Sequence, residues 1–261
     1  MKLHLISNVN SEWFQDKFGE EDYNLPDADV VIFTGNCSNF IRRTMNQVES
    51  VAMMYPEKQF IINLGMKELT AQKNFTEIRD GVNNRQMLYE NWPKNLHFKY
   101  QKPLKLEVND RKLDILCLYG FPNVGNVDET VWKNTEWYQY TFHGITHDQS
   151  YFKPKAAADV YHGHFWIWST PELCREDHEK ECEIIRNWLA EKEEGSTQIL
   201  VTALSPMNDP CLEGVEYNMY PDLHPDVWVF SGVSTTMPNN RTLLHGNPGT
   251  GSDVRSVTLT I

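Results

Sequence analysis

The run Asp29-Val30-Val31-Ile32-Phe33-Thr34-Gly35-Asn36 decides how this chain folds. Four consecutive apolar residues, three of them β-branched, are followed by Thr34 and then a glycine. An uninterrupted apolar run of this length, closed by turn residues, reads as a strand covered on both faces. Two similar runs flank it: Lys2–Ile6 upstream, and Gln59–Leu64 downstream, closed by Gly65. Between the second and third, Asn39–Tyr55 carries Phe40, Ile41, Met45, Val48 and Ala52 at helical spacing and stops before Pro56. Strands joined through helices predict βαβ crossovers and a largely parallel sheet.

Further along, Leu104–Val108 and Lys112–Tyr119 flank Asn109-Asp110 and predict a hairpin. Residues 120–168 are rich in aromatics and have no clear period, so they read as an irregular cap. A helix is expected after Thr170, with Pro171 at its first position, an Ile184, Ile185, Trp188 and Leu189 stripe, and Gly195 ending it. Strands follow at Gln198–Thr202, Val227–Phe230, Arg241–Leu244 and Val254–Thr260. No linker or repeat divides residues 1–261, so a single domain is expected.

Composition narrows the function. Lys and Arg number 24 against 36 Asp and Glu, a net charge of −12. Such a surface repels nucleic-acid phosphates, which argues against general nucleic-acid binding. The mixed-sign run Arg175–Glu194 reads as a solvated helix face. Five cysteines without a CxxC pair fit buried thiols in a reducing compartment. The opening Met-Lys-Leu-His-Leu-Ile is too short and too quickly polar for a signal peptide, and no run reaches membrane-spanning length. The expectation is a cytoplasmic protein without membrane association.

In open α/β sheets, function collects just past the carboxyl ends of the strands. Those positions read Ser7-Asn8-Val9-Asn10, Gly35-Asn36, Gly65-Met66-Lys67-Glu68, Thr202-Ala203-Leu204-Ser205-Pro206 and Ser231-Gly232-Val233-Ser234-Thr235, and the chain closes on Gly246-Asn247-Pro248-Gly249. In order and spacing, this series resembles the signature blocks of the calcineurin-like metallophosphoesterases: Asp-x-His, Gly-Asp, Gly-Asn-His-Glu, a Thr-His-His-Ala-Pro type, and Gly-His-x-His. The resemblance spans nearly the whole chain. It implies a four-layered α/β/β/α sandwich with mixed sheets and a two-metal centre at one end.

Carried over position by position, the resemblance implies that the metal ligands have been lost. The first block's Asp and His fall on Asn8 and Asn10, and the bridging Asp on Asn36. The third block's Asn and catalytic His fall on Met66 and Lys67. The fourth block's two histidines become Ala203 and Leu204, and the last block's become Val233 and Thr235. Two divalent cations held about 4 Å apart need carboxylates to offset their repulsion, and none remains at the ligand positions. What persists is the turn scaffold: Gly35, Gly65, Glu68, Pro206, Gly232 and Asn247-Pro248.

The resemblance therefore implies a domain with no metal, no cofactor and no catalytic residue, working as a scaffold or accessory protein for a protein partner. A retromer subunit and the small subunits of replicative DNA polymerases resemble phosphoesterases and work in this way. Trp132, Trp137, Trp166 and Trp168 of the cap are candidates for the partner surface, their alternative being to pack the cap down. Lys67 is a candidate anion contact, its alternative a solvated ion pair with Glu68. The alternative function is a phosphoesterase, another hydrolase or a small-anion binder using a rebuilt pocket. Richness in Trp, Tyr and Asn also admits a virus-encoded protein, placed in the host cytoplasm or the virion. The pair His162/His164 lacks a third ligand nearby in sequence, Gly144 weakens any helix that would put His143 and His147 on one face, and lone His224 and His245 read as ordinary surface or core residues.

Overall fold

The computed structural model describes residues 1–6, 25, 27–35, 41–65, 92–135, 142–146, 160–161, 164–168, 170–206, 212–218, 222–231, 243–246 and 256–261. In chain order, the first elements are β1 (Lys2–Ile6), β2 (Val30–Phe33), α1 (Ile41–Met54), β3 (Gln59–Ile62) and β4 (Leu96–His97). The hairpin strands β5 (Leu104–Val108) and β6 (Arg111–Leu118) follow. Next come β7 (Asn123–Val124), α2 (Glu129–Asn134), β8 (Phe142–Thr146), β9 (Val160–Tyr161) and β10 (His164–Trp168). The chain then forms α3 (Pro171–Ala190), β11 (Ser196–Thr202), β12 (Tyr217–Asn218), β13 (Val227–Ser231), β14 (Leu243–Gly246) and β15 (Ser256–Thr260).

This is an α/β protein whose described residues form two mixed five-stranded sheets. The first runs β15-β1-β2-β3-β4, with β15 antiparallel to β1 and the other neighbours parallel. The second runs β14-β13-β11-β6-β5, parallel except for the β5–β6 hairpin. Within this hairpin Asn109 and Asp110 take φ values of 50° and 62°, the left-handed pair required by a two-residue turn that matches strand twist.

The period-2 alternation of each strand sorts its side chains into two layers. Leu3, Leu5, Val30, Ile32 and Ile61 of the first sheet share one buried cluster with Ile115, Cys117, Ile199, Val201 and Val229 of the second. The two sheets therefore pack face to face. The intervening residues point the other way. Val31, Phe33, Phe60 and Ile62 join a cluster that includes Met45, Val48, Val51 and Ala52 of α1. To the same cluster belong Leu116, Leu118, Leu200 and Phe230, together with Cys174, Cys182, Ile185 and Trp188 of α3. Each such fully buried side chain contributes about 1.5–3 kcal/mol.

Local signals place the helices. Thr170 Oγ1 accepts from the Leu173 amide at 3.2 Å, and Pro171 occupies the first turn where its missing N–H costs nothing. The end of α1 is tied down from a distance: the Asn95 amide donates to the carbonyls of Ala52, Tyr55 and Lys58 at 3.0, 3.0 and 2.9 Å.

Two expectations need correction. Gly195 does not end α3, which closes at Ala190 with Glu191 as its cap; Gly195, at φ +76°, turns the chain into β11 instead. The cap is not wholly irregular, since β8, β10 and β9 form an antiparallel sheet and α2 is capped by Asp128. His143 lies on the strand β8 and not on a helix, in keeping with Gly144 beside it. Among the described residues, no helix is long and apolar enough to cross a membrane.

Candidate functional site at the strand ends

The carboxyl ends of β2 and β3 meet glycine to glycine. Gly35 has φ +114°, and a Cβ built on it would lie 2.7 Å from the Gly65 nitrogen and 2.8 Å from the Gly65 Cα. Both obstacles are backbone, so no side chain can move aside. Glycine is required here twice over, by the backbone angle and by the close approach. The two turn glycines singled out from sequence are thus in direct contact.

Beneath them a polar seam joins the sheets. The Asn63 backbone amide donates to the Phe33 carbonyl at 2.8 Å. Its side-chain amide donates across to Leu118 O of the second sheet at 2.8 Å, and reaches Thr34 O at 3.5 Å. Thr34 in turn donates its backbone N–H to Ile6 O at 2.9 Å. The ends of β1, β2, β3 and β6 are therefore linked through two residues.

The end of β6 is itself clamped by α3. Glu181, 1% exposed, accepts from the amides of Tyr119 (3.1 Å), Gly120 (3.1 Å) and Phe121 (2.7 Å). Gly120, at φ +86°, turns these consecutive N–H groups toward one carboxylate. The carbonyl of Tyr119, on the same turn, accepts from Ala203 N at 3.0 Å and Leu204 N at 3.4 Å. One buried acid thus holds the turn on which the fourth strand-end block hangs. Thr202 fixes the rest of that block, donating to Leu204 O at 2.8 Å and accepting from the Trp228 indole at 3.0 Å.

Ala203 and Leu204 are 2% and 3% exposed and belong to the apolar core cluster. Neither side chain has an atom able to bind a cation. Asn8, Asn10, Asn36, Met66, Lys67, Val233 and Thr235 lie outside the described residues, as do Glu68, Gly232, Asn247 and Pro248. Trp137 and His162 also lie outside them. Trp166 and Trp168 sit on β10, in backbone register with Ile145 and Phe142 and with a bulge between Ile167 and Trp168. His245 lies on β14 opposite Phe230, and His224 is exposed.

Trp132 must be corrected as a partner contact. It is 2% exposed and packs in the same core cluster as α3, so its indole holds α2 against the body of the protein.

One pairing has the composition of a nucleophile and base but not their chemistry. His178 Nδ1 lies 2.8 Å from the Phe121 carbonyl, which only accepts, so Nδ1 carries the proton. Its Nε2 therefore accepts from the Cys182 thiol 3.3 Å away. Burial raises the Cys182 pKa and lowers that of His178, so both stay neutral. The Cys117 thiol, pushed up to about 12 by burial, is equally inert. Among the described residues, no three His, Cys, Asp or Glu side chains gather in a way that holds a metal ion.

Glu181 and Asn63 were missed from sequence, although Glu181 left a signal. Cys174, His178, Glu181, Ile185 and Trp188 recur at spacings of four, three, four and three, and all are buried. An acid in register with the apolar stripe of a helix is an acid in the core, where it needs donors.

No protein-family model matches the chain, and no curated protein matches it in sequence. Its fold does have solved counterparts. It is similar to a phosphopantetheinyl hydrolase from Mycobacterium tuberculosis, with a TM-score of 0.53 and 11% identity over 95% of this chain and 90% of that one. A second solved structure aligns with a TM-score of 0.49 and 9% identity over 94% of this chain and 90% of its own.

Proposed function

We propose that this chain is a four-layered domain of the calcineurin-like metallophosphoesterase type whose metal centre has been lost, and that it acts by binding a protein partner. The observation that carries this reading is the fourth strand-end block. Ala203 and Leu204 occupy the positions where the resemblance expects two metal-binding histidines, and their side chains are buried in the apolar core. These residues do not fit a metal, because a divalent cation needs oxygen, nitrogen or sulfur donors and methyl groups supply none.

The Gly35–Gly65 contact supports the same reading from the other direction. A turn that needs glycine at position 35, where it meets the Gly65 backbone, persists while the ligand positions around it hold other residues. The fold likeness to a hydrolase supports the scaffold, not the activity. On this reading the net charge of −12 turns the protein away from nucleic acid and toward protein surfaces. A cytoplasmic setting, a viral source and a partner surface that includes Trp166 and Trp168 belong to the same proposal.

The test is hydrolysis of bis(p-nitrophenyl) phosphate in the presence of Mn²⁺. The reading predicts release of nitrophenol no faster than in buffer. A rate proportional to protein concentration and abolished by a chelator would contradict it. That result would favour a hydrolase with a rebuilt pocket.

A further inference from the structure

Strand β5 is the outer edge of the second sheet. On one side it pairs with β6, and among the described residues no strand pairs with the other side. The opposite edge strand of that sheet, β14, lies against β15, whereas β5 leaves a row of backbone N–H and C=O groups open to another strand. The tip of the hairpin is held in place. Asn109 donates its side-chain amide to Asp29 at 2.8 Å, and Arg111 donates to the Ile261 carbonyl at 2.6 Å.

The turn fixes which residues of β5 face outward. A two-residue turn closes with a hydrogen bond between its flanking residues, here Val108 and Arg111. Bonded and non-bonded pairs alternate along an antiparallel ladder, so Leu106 and Leu104 also bond to β6. The backbone groups of Lys105 and Glu107 therefore face the free edge. Antiparallel pairing of two β5 strands must match outward residues with outward residues, and three such registers overlap by three residues or more. Centred on residue 105, Lys105 faces Lys105; centred on 107, Glu107 faces Glu107. Centred on Leu106, Lys105 faces Glu107 at both positions, Leu106 faces Leu106, and Leu104 faces Val108. Opposite charges stabilise facing positions and like charges destabilise them. Charged residues on an edge ordinarily deter pairing, but these two are complementary to themselves in that one register. The existing Lys105–Glu193 pair is solvent-exposed on both sides and therefore weak enough to exchange.

We propose that β5 is a self-association edge, pairing antiparallel with β5 of a second copy about a twofold axis at Leu106. The same patch serves both copies, as twofold symmetry requires. Half-buried Leu106 and Val108 supply the apolar part of the contact. A single strand pair is a small interface, which places the dimer in the weak, reversible class. This contact does not depend on the proposed loss of the metal centre.

Sedimentation velocity of the full chain tests the contact at concentrations up to about 1 mM. About 0.15 M salt screens repulsion between two chains of net charge −12 beyond about 8 Å, while facing side chains still interact. The average mass should rise from 30.5 kDa toward twice that value with concentration. Lys105→Glu and Glu107→Lys should each weaken association at least tenfold, because each sets like charges face to face. An equimolar mixture of the two variants should associate again, since every facing pair is then opposite in sign. Amide exchange on the unaltered chain gives a readout that needs no variant. The Lys105 and Glu107 amides should slow with rising concentration, while those of Leu104, Leu106 and Val108 are protected throughout. A constant mass of 30.5 kDa, single variants that associate like the parent, a mixture no better than its components, or Lys105 and Glu107 amides indifferent to concentration would overturn the proposal.

Discussion

Gly35 holds a backbone angle of +114° directly against the backbone of Gly65, a place that only glycine takes without strain. Gly35→Ala should destabilise the protein by about 2 kcal/mol or more, because the strained angle and the backbone overlap add together. Urea unfolding measures this, and a loss below about 0.5 kcal/mol would show that the turns separate easily. His4 makes a second residue-level prediction. It is 1% exposed, and burial, helped by the Lys58 charge, lowers its pKa to about 4. The unfolded chain takes up that proton near 6.5, so the contribution of neutral His4 is complete above 6.5. It is lost as pH falls from 6.5 toward 4, to an extent of at most about 3 kcal/mol. His4→Gln should therefore flatten the acid limb of the stability profile over that window, and an unchanged limb would mean that His4 is solvated. Neither the burial of His4 nor that of Asn63 was legible from sequence. A polar residue at the covered end of a strand looks the same as one at an exposed end until the neighbouring sheet is in place.

At the scale of elements, the strands were legible because their apolar runs are continuous and end in glycine or paired polar residues. The hairpin was legible through Asn109-Asp110, and α3 through Thr170-Pro171. The cap was not. Its β8, β9 and β10 strands are short, mix Trp and His with apolar residues, and carry a bulge that interrupts period 2. Helix α3 hides its main polar feature in a charged run. Glu181 lies among Glu179, Lys180 and Glu183 and reads as solvated, yet it alone turns inward to clamp residues 119–121. Glu181→Gln keeps the shape but replaces a charged acceptor with an amide whose NH₂ opposes backbone donors. It should cost about 2–3 kcal/mol, read as a lower urea midpoint at unchanged slope. A cost near zero would mean that the turn is held by its carbonyl bonds to Ala203 and Leu204 alone.

For the molecule as a whole, the helices α1 and α3 and the parallel strands were legible from spacing, whereas two facing sheets were implied only by the family resemblance. The candidate site was legible only in part, for a physical reason. The identity of a lost ligand appears in one letter of sequence, but the replacement of its function leaves no fixed pattern of residues. Ala203 and Leu204 are buried in the apolar core, and on the proposed reading they stand where one block held its ligands. Loss of the metal centre is tested by the metal content of the protein purified without chelator, read by inductively coupled plasma mass spectrometry. Manganese, iron and zinc are each expected well below one equivalent per chain. One or two equivalents of any of them, retained through dialysis, would contradict that loss.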